Sequence, residues 1–261
     1  MKTKIIFFGN GPLADYSKAI LEQNCEIIFH ARTKEDLETV KQLKADTPDL
    51  KGVLASFGVI IKNDVLSLFE PEGILNIHPS LLPKYRGSSP IETAILNGDK
   101  EFSVSIMKLV KAMDAGPIYY QNTISFDESY PEKDEIYKTL SEDGANWLVQ
   151  NIENLPEPKV QDDTKATFTA KFDKSMSPLS PDTKTAEELL NEVRAFKGFP
   201  KSKHDFFGLD CIVLKAHISN EETPLSLKCA DGKYLVVDQI QPAGRKAMDA
   251  PSFINGYGKK K

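Results

Sequence analysis

The feature that most constrains the fold is an alternation of short apolar runs with helical patterns in the first half of the chain. Runs of strand length occupy residues 4–8, 25–30, 52–57 and 74–78. Between the first two runs, apolar residues recur at helical spacing, at Leu13, Tyr16, Ile20 and Leu21. Such alternation predicts βαβ units. We therefore predict an α/β fold with an open, mostly parallel sheet and flanking helices.

The pattern continues to about residue 155 and then breaks. Two more strand-like runs and a helical stretch precede the break, at residues 102–109, 116–124 and 137–152. Pro156-Glu-Pro158 and the polar residues after it favour a linker. We predict a Rossmann-like first domain over residues 1–155 and a linker over residues 156–170.

The remaining residues predict a second, smaller domain. Helical spacing begins at Thr185, a residue type that commonly caps helices, and continues to Phe196. After Gly198-Phe-Pro200, short β-rich runs alternate with Gly and Asp turns, at residues 211–216, 225–229 and 234–237. This pattern predicts an open, OB-like β-barrel over residues 171–261.

The composition argues against several classes of protein. Of the 261 residues, 40% are hydrophobic and 27% are charged, which suits globular domains. No apolar run approaches the roughly 18 residues of a membrane span, and the apolar start breaks at Gly9, too early for a secretory signal. Three well-separated cysteines without Cys-x-x-Cys spacing favour neither disulfides nor zinc. We predict a cytoplasmic protein with no membrane contact and no metal.

Charge is unevenly distributed along the chain. Up to residue 170 there are 18 Lys and Arg against 26 Asp and Glu, and beyond it 15 against 12. The second domain is therefore the basic part of an acidic chain, and it ends in Lys259-Lys260-Lys261. A basic region of this kind suits a polyanionic partner, and it also suits an ordinary solvated surface.

A glycine-rich turn after the first apolar run matches a dinucleotide-binding fingerprint. Gly9-Asn-Gly11-Pro-Leu-Ala14 fits Gly-x-Gly-x-x-Gly/Ala, and Arg32 would suit a 2′-phosphate. The match is short, however, and tight strand-to-helix turns need glycine in any α/β fold. An NADP site is therefore an alternative that other residues must support.

The strongest candidates for chemistry lie at and after residues 74–78. If this run is a strand, Asn76 and His78 point to the same side of it. They come at its carboxyl end, where open parallel sheets bind ligands. The turn Pro79-Ser-Leu-Leu-Pro83 follows and is suited to presenting backbone groups to a planar heterocycle. Asp114 lies in another turn, Met113-Asp-Ala-Gly116.

These segments resemble the signature of the 10-formyltetrahydrofolate-dependent formyltransferases. The matching residues are Asn76-Ile-His-Pro-Ser-Leu-Leu-Pro83, Tyr85-Arg-Gly-x-x-Pro90 and Met113-Asp-x-Gly116. Residues 193–200 and 239–248 resemble the C-terminal domain of the methionyl-tRNA formyltransferases. The resemblance implies a catalytic domain over residues 1–155 and a tRNA-binding domain over residues 171–261.

The resemblance also implies a reaction and a set of roles. A formyl group would pass from 10-formyltetrahydrofolate, a co-substrate, to an amine. Asn76 and His78 would donate hydrogen bonds to the developing oxyanion, and Asp114 would accept the proton that the amine loses. The folate site would be lined by Ser80, Leu81, Leu82 and Pro83.

For the acceptor, the resemblance favours initiator methionyl-tRNA bound by a monomer. Candidate contacts to tRNA are Arg32, Lys34, Arg245 and Lys246. The tRNA enzymes usually carry a long basic loop after the second strand, whereas this chain is short between the first turn and Asn76. Formylation of a nucleotide-linked amino sugar therefore stays open, and so does a non-catalytic RNA-binding module.

Overall fold

A computed structural model describes residues 2–126, 130–169 and 171–258 of the chain. They form two compact units, one of Met1–Ile91 with Lys100–Ala170 and the other of Glu92–Asp99 with Lys171–Lys261. The segment 156–170, predicted as a linker, lies within the first unit. The terminal lysines, proposed above as part of a basic region, lie outside the described residues.

The first unit alternates strands and helices as its sequence pattern predicts. In chain order its elements are β1 (Lys4–Gly9), α1 (Pro12–Asn24), β2 (Glu26–Ala31), α2 (Asp36–Asp46), β3 (Lys51–Ala55), α3 (Asn63–Leu66), a 3₁₀ turn (Ser67–Phe69), β4 (Ile74–His78), the start of α4 (Pro90–Leu96), β5 (Glu101–Lys108), β6 (Ile118–Ser125), α5 (Lys133–Asn151) and a second 3₁₀ turn (Asp163–Lys165). No helix among the described residues is long and apolar enough to cross a membrane.

The six strands of this unit form one sheet in the order β2-β1-β3-β4-β5-β6. The first four strands are parallel, and β5 and β6 are antiparallel to their neighbours. The carboxyl ends of β1, β3 and β4 therefore meet at one edge, which is where open sheets of this type bind ligands. The predicted α/β fold class is confirmed.

Apolar side chains cover both faces of the sheet. One face packs on α2 and α3 through a cluster that includes Phe8, Val40, Leu54 and Phe69. On the other face lies α5, which also packs against α1. The two faces thus pack against different helices, so the face on which a residue of β4 lies determines which helices are near it.

The second unit is an antiparallel half-barrel sheet with helices packed around its elements. Its elements are the remainder of α4, a 3₁₀ turn (Lys174–Met176), α6 (Ala186–Ala195), β7 (Ser202–Phe206), β8 (Leu209–Ser219), β9 (Ser226–Lys228), β10 (Tyr234–Pro242), β11 (Met248–Asp249) and α7 (Ala250–Tyr257). The sheet order is β11-β10-β8-β7, with β9 also paired to β10. The predicted small open β-barrel is confirmed in this form, although β7, β11 and α7 were not predicted.

Candidate active site

β4 places Asn76 and His78 on one face of the sheet. Both are nearly buried, at 5% and 4% exposed. Ile77 between them faces α5, since a Cβ on Gly144 of that helix would lie 3.0 Å from Ile77 Cγ2. Because side chains alternate along a strand, Asn76 and His78 point away from α5 at the carboxyl end of β4. The amide and the imidazole therefore lie on the same side, as the sequence pattern predicts.

One nitrogen of the His78 ring is hydrogen-bonded to the backbone, and the other faces Asp114. Nε2 lies 3.0 Å from the backbone carbonyl oxygen of Tyr85. A carbonyl oxygen can only accept, so Nε2 carries the proton when the ring is neutral. Nδ1 is then the acceptor nitrogen of the neutral ring, and it lies 3.7 Å from Oδ2 of Asp114. That separation suits an ion pair or a bridging water and exceeds a direct hydrogen bond.

Asp114 is held in a left-handed backbone conformation, with φ at 47°. Its Oδ2 accepts a hydrogen bond of 2.8 Å from the backbone N–H of Gly87. Its side chain is 14% exposed. Aspartate tolerates positive φ better than most residues, yet such a conformation persists only where its surroundings hold it. The carboxylate therefore has a defined place between His78 and Gly87.

The turn that follows β4 is held by side chains of the neighbouring strands. Ser105 Oγ of β5 donates to Ser80 O at 2.6 Å and accepts from Leu82 N at 3.2 Å. Gln121 Nε2 of β6 donates to Leu82 O at 2.8 Å and to Ser105 Oγ at 3.0 Å. Ser80 and Leu82 are buried, whereas Leu81 is 44% exposed. A ligand at this turn would therefore contact its backbone and Leu81 before the side chains of Ser80 and Leu82.

Thr167 holds the next part of the same turn. Its backbone N–H donates to Pro83 O at 3.1 Å. Its Oγ1 accepts from the backbone N–H of Tyr85 at 2.9 Å. Tyr85 has a φ of 61°, and its carbonyl is the partner of His78 Nε2. The predicted linker segment thus contributes to the placement of His78.

Sequence reasoning did not select two buried polar residues beside the site, Arg86 and Gln161. The guanidinium of Arg86 donates to Gln161 Oε1 and, at 2.6 Å, to Asp163 Oδ1. Arg86 belongs to the Tyr-Arg-Gly segment of the family signature, and this membership was the one sequence feature that could have indicated a role at the site. Gln161 lies in a polar stretch where no periodicity or motif marks it.

The glycine-rich first turn has local reasons for its composition. A Cβ on Gly9 would lie 2.1 Å from Ala55 O and 2.9 Å from Ala14 Cβ. His30 Nε2 donates to Gly9 O at 2.9 Å, and its Nδ1 accepts from Arg32 Nε at 3.2 Å. Burial lowers the pKa of His30, in agreement with a neutral ring in this arrangement. Close packing and internal hydrogen bonds thus explain the turn without a bound dinucleotide.

The four basic residues predicted to contact tRNA are all exposed: Arg32, Lys34, Arg245 and Lys246. The first two follow β2 in the first unit, and the other two lie between β10 and β11 in the second. Within the described ranges, no cluster of three or more His, Cys, Asp or Glu side chains is placed to hold a metal ion.

Two family models match the chain, "Formyl transferase" over residues 11–152 and "Formyl transferase, C-terminal domain" over residues 179–258. The chain belongs to the formyl transferase family. A methionyl-tRNA formyltransferase of Methylobacillus flagellatus is 34% identical to it over 243 residues, which cover 88% of this chain and 78% of that protein. The enzyme of the same name from Pelagibacter ubique is 31% identical over 235 residues, covering 85% and 74%. The predicted family is confirmed.

Solved structures of several enzymes share the fold of this formyltransferase. HypX from Aquifex aeolicus, in complex with tetrahydrofolic acid, superposes with a TM-score of 0.75 at 14% identity over 99% of this chain. The chain spans 48% of HypX. Methionyl-tRNA formyltransferase from Clostridium thermocellum gives 0.66 at 18%, covering 93% of this chain and 99% of that one. An N-formyltransferase from Helicobacter canadensis, with folinic acid and dTDP-3-aminofucose, gives 0.64 at 18%, covering 91% and 99%.

Proposed function

We propose that this formyltransferase moves a formyl group from 10-formyltetrahydrofolate to the α-amino group of initiator methionyl-tRNA. The observation that carries the formyl transfer is the placement of a carboxylate 3.7 Å from His78 Nδ1, on a strand that also presents the amide of Asn76. The folate donor is supported by the sequence signature and by the folate compounds bound to HypX and to the Helicobacter enzyme.

The chemistry requires a neutral amine, a stabilised oxyanion and a protonated leaving nitrogen. In the proposed reaction the amine nitrogen bonds to the formyl carbon, and the bond from that carbon to N10 breaks. Asn76 donates to the oxyanion that forms, and Asp114 accepts the proton that the amine loses, directly or through a water. His78 carries a proton on Nδ1 to the leaving N10, so no net proton is gained or lost. Free α-amino groups titrate near pH 8, which makes a nearby carboxylate useful.

The turn after β4 fits a folate site by its rigidity. Its backbone is fixed by Ser105, Gln121 and Thr167, so polar groups that contact a planar ring lose little freedom on binding. Leu81 offers exposed apolar surface for the ring. In this proposal Ser80, Leu82 and Pro83 shape the backbone of the folate site, and Leu81 contacts the ligand.

Ser105→Ala is expected to weaken folate binding. It removes three hydrogen bonds at the turn, so KM for the folate donor should rise about tenfold, or ~1.4 kcal/mol. Ser103→Ala is the matched control, since Ser103 lies on the same strand and face and its side chain, within the part of the chain that the structure describes, bonds Thr123 instead of the turn. Steady-state kinetics at varied donor concentration check the difference. Equal KM values in the two variants would contradict the assignment of this turn.

Initiator methionyl-tRNA is the proposed acceptor for three reasons. The curated relatives of 31% and 34% identity are methionyl-tRNA formyltransferases. The C-terminal family model covers the second unit, and that part of the chain is the basic one. Positive charge supplies most of the sequence-independent affinity for RNA. Arg32, Lys34, Arg245 and Lys246 are the proposed contacts, and the setting is the cytoplasm.

A nucleotide-linked amino sugar is the second candidate acceptor. The observation that favours it is the short stretch between the first turn and Asn76, where the strands are separated by α1, by α2, and by α3 with one 3₁₀ turn. Such a stretch leaves little chain for an inserted loop at the end of a tRNA. The fold does not discriminate between the acceptors, because the tRNA and sugar enzymes superpose about equally well.

A competition between the two acceptors tests the proposal. The protein is incubated with 10-formyltetrahydrofolate and either charged initiator tRNA or a dTDP-linked amino sugar, and the formylated product is measured. We expect formyl transfer to the tRNA and none to the sugar. Transfer to the sugar alone would replace the proposed acceptor, and transfer to neither would contradict the proposed function.

A further inference from the structure

Gln161 is a buried residue whose side-chain amide is fully hydrogen-bonded. Its Oε1 accepts from Nε and Nη2 of Arg86, at 3.1 and 2.8 Å. Its Nε2 donates to the backbone carbonyls of Asp114 and Gly116, at 2.8 and 2.7 Å. Both acceptor positions and both donor hydrogens of the amide are therefore in use.

These bonds connect the two turns that place the Asp114 side chain. Arg86 immediately precedes Gly87, whose backbone N–H donates to Asp114 Oδ2 at 2.8 Å. Gln161 thus holds Asp114 in two ways. It binds the backbone carbonyl of Asp114 directly, and through Arg86 it fixes Gly87, which binds the carboxylate of Asp114. The bond from Arg86 to Asp163 fixes the guanidinium from a further direction.

Asp114 depends on such contacts because of its backbone. A φ of 47° is unfavourable for any residue with a Cβ, so the conformation lasts only while neighbouring groups hold it. If the carbonyl of Asp114 loses its partner, the turn relaxes and the carboxylate moves relative to His78 Nδ1. A displacement of about 1 Å at a reacting group reduces rates by up to about 100-fold.

We propose that Gln161 is a positioning residue for formyl transfer, which holds the Asp114 carboxylate beside His78 without contacting either substrate. The inference rests on the proposed function, in which Asp114 accepts the proton of the attacking amine. It assigns a role in catalysis to a residue 47 positions away from Asp114 along the chain.

Gln161→Glu is the sharpest variant for this proposal. A glutamate keeps the acceptor for Arg86 but lacks the two donors that bind the carbonyls of Asp114 and Gly116. We expect kcat to fall about tenfold or more, with KM for the folate donor unchanged. Gln161→Met removes all four hydrogen bonds, and its kcat should fall by at least the same factor. The control is Gln42→Glu, because Gln42 is an exposed glutamine of α2 that also donates to one neighbour, Asp46, and its kcat should not change.

A double-mutant cycle with Asp114→Asn separates positioning from general destabilisation. Rates are measured per folded molecule, with the folded fraction taken from circular dichroism and with enzyme in excess to extend the measurable range. If Gln161 acts through Asp114, adding Gln161→Glu to Asp114→Asn lowers the rate no further.

The outcomes distinguish the two proposals. Full activity of Asp114→Asn would overturn the proposed catalytic role and leave Gln161 without a target. A large loss in Asp114→Asn together with full activity in both Gln161 variants would overturn the positioning role alone. Losses that multiply in the double variant would do the same.

Discussion

Asp114→Asn is expected to lower the turnover of formyl transfer by about 10²- to 10⁴-fold, the usual contribution of a well-placed acid or base. Asparagine retains an oxygen that can accept from the backbone N–H of Gly87, and it tolerates the left-handed backbone as well as aspartate does. The turn should therefore keep its shape. What is lost is the negative charge beside His78, on the group that we propose accepts the proton of the amine.

Binding of the folate donor separates this loss of chemistry from a loss of structure. A titration with the donor should give the same affinity for Asp114→Asn as for the unaltered protein, because the turn after β4 has its own hydrogen bonds. Asp205→Asn is the matched control, since Asp205 also accepts from a glycine N–H, that of Gly208, in the second unit. Unchanged turnover in Asp114→Asn would remove this residue from the mechanism.

The sequence predicted the first unit well because its first four strands are short apolar runs and its last two, β5 and β6, carry a strand-like pattern of apolar and polar residues. The predicted strand at residues 74–78 coincides with β4, and the period of two correctly placed Asn76 and His78 on one face. β7 was missed because only its end residues, Ser202 and Phe206, are buried, so no alternation is visible. α7 was missed because eight residues with proline near the start give too few turns for a helical period.

The site was only partly predictable for a different physical reason. Its candidate reacting groups follow from a contiguous motif and from one short second segment. The residues that hold those groups, such as Ser105 and Gln161, act through hydrogen bonds to backbone atoms that are distant in the sequence. Such bonds impose no periodicity and no local composition, so a sequence pattern cannot reveal them. This is also why residues 156–170 resembled a linker although Gln161 and Thr167 contact the site.

The first turn shows the converse case, because its glycine pattern matched a dinucleotide-binding fingerprint although local packing accounts for the glycine. Gly9 is required by the close approach of Ala55 and Ala14, whatever the turn binds. Arg32, which suited a 2′-phosphate in the sequence, is engaged with His30 in the structure. A glycine motif therefore indicates close packing first, and a ligand only when other groups converge on it.

Asn76→Ala is expected to reduce turnover by about 10²- to 10³-fold while leaving stability unchanged. The described residues provide no hydrogen-bond partner for the Asn76 side chain, although the residue is only 5% exposed. The amide is not one of the fully buried polar atoms that lack a partner, so it keeps contact with solvent, and alanine removes no hydrogen bond that supports the fold. The loss of turnover follows from the loss of an oxyanion donor, worth about 3–4 kcal/mol in the transition state.

Asn122→Ala provides the opposite pattern and hence the control. Asn122 lies on β6 of the same sheet, and its amide donates to Asp143 at 3.0 Å. Its replacement should lower the melting temperature and leave turnover per folded molecule unchanged. Thermal denaturation and single-turnover rates check both variants. We expect Asn76→Ala to lose turnover and keep its melting temperature, and Asn122→Ala to keep turnover and melt at a lower temperature. A fall in both stability and turnover for Asn76→Ala, in equal proportion, would mean that Asn76 supports the fold and does not stabilise the oxyanion.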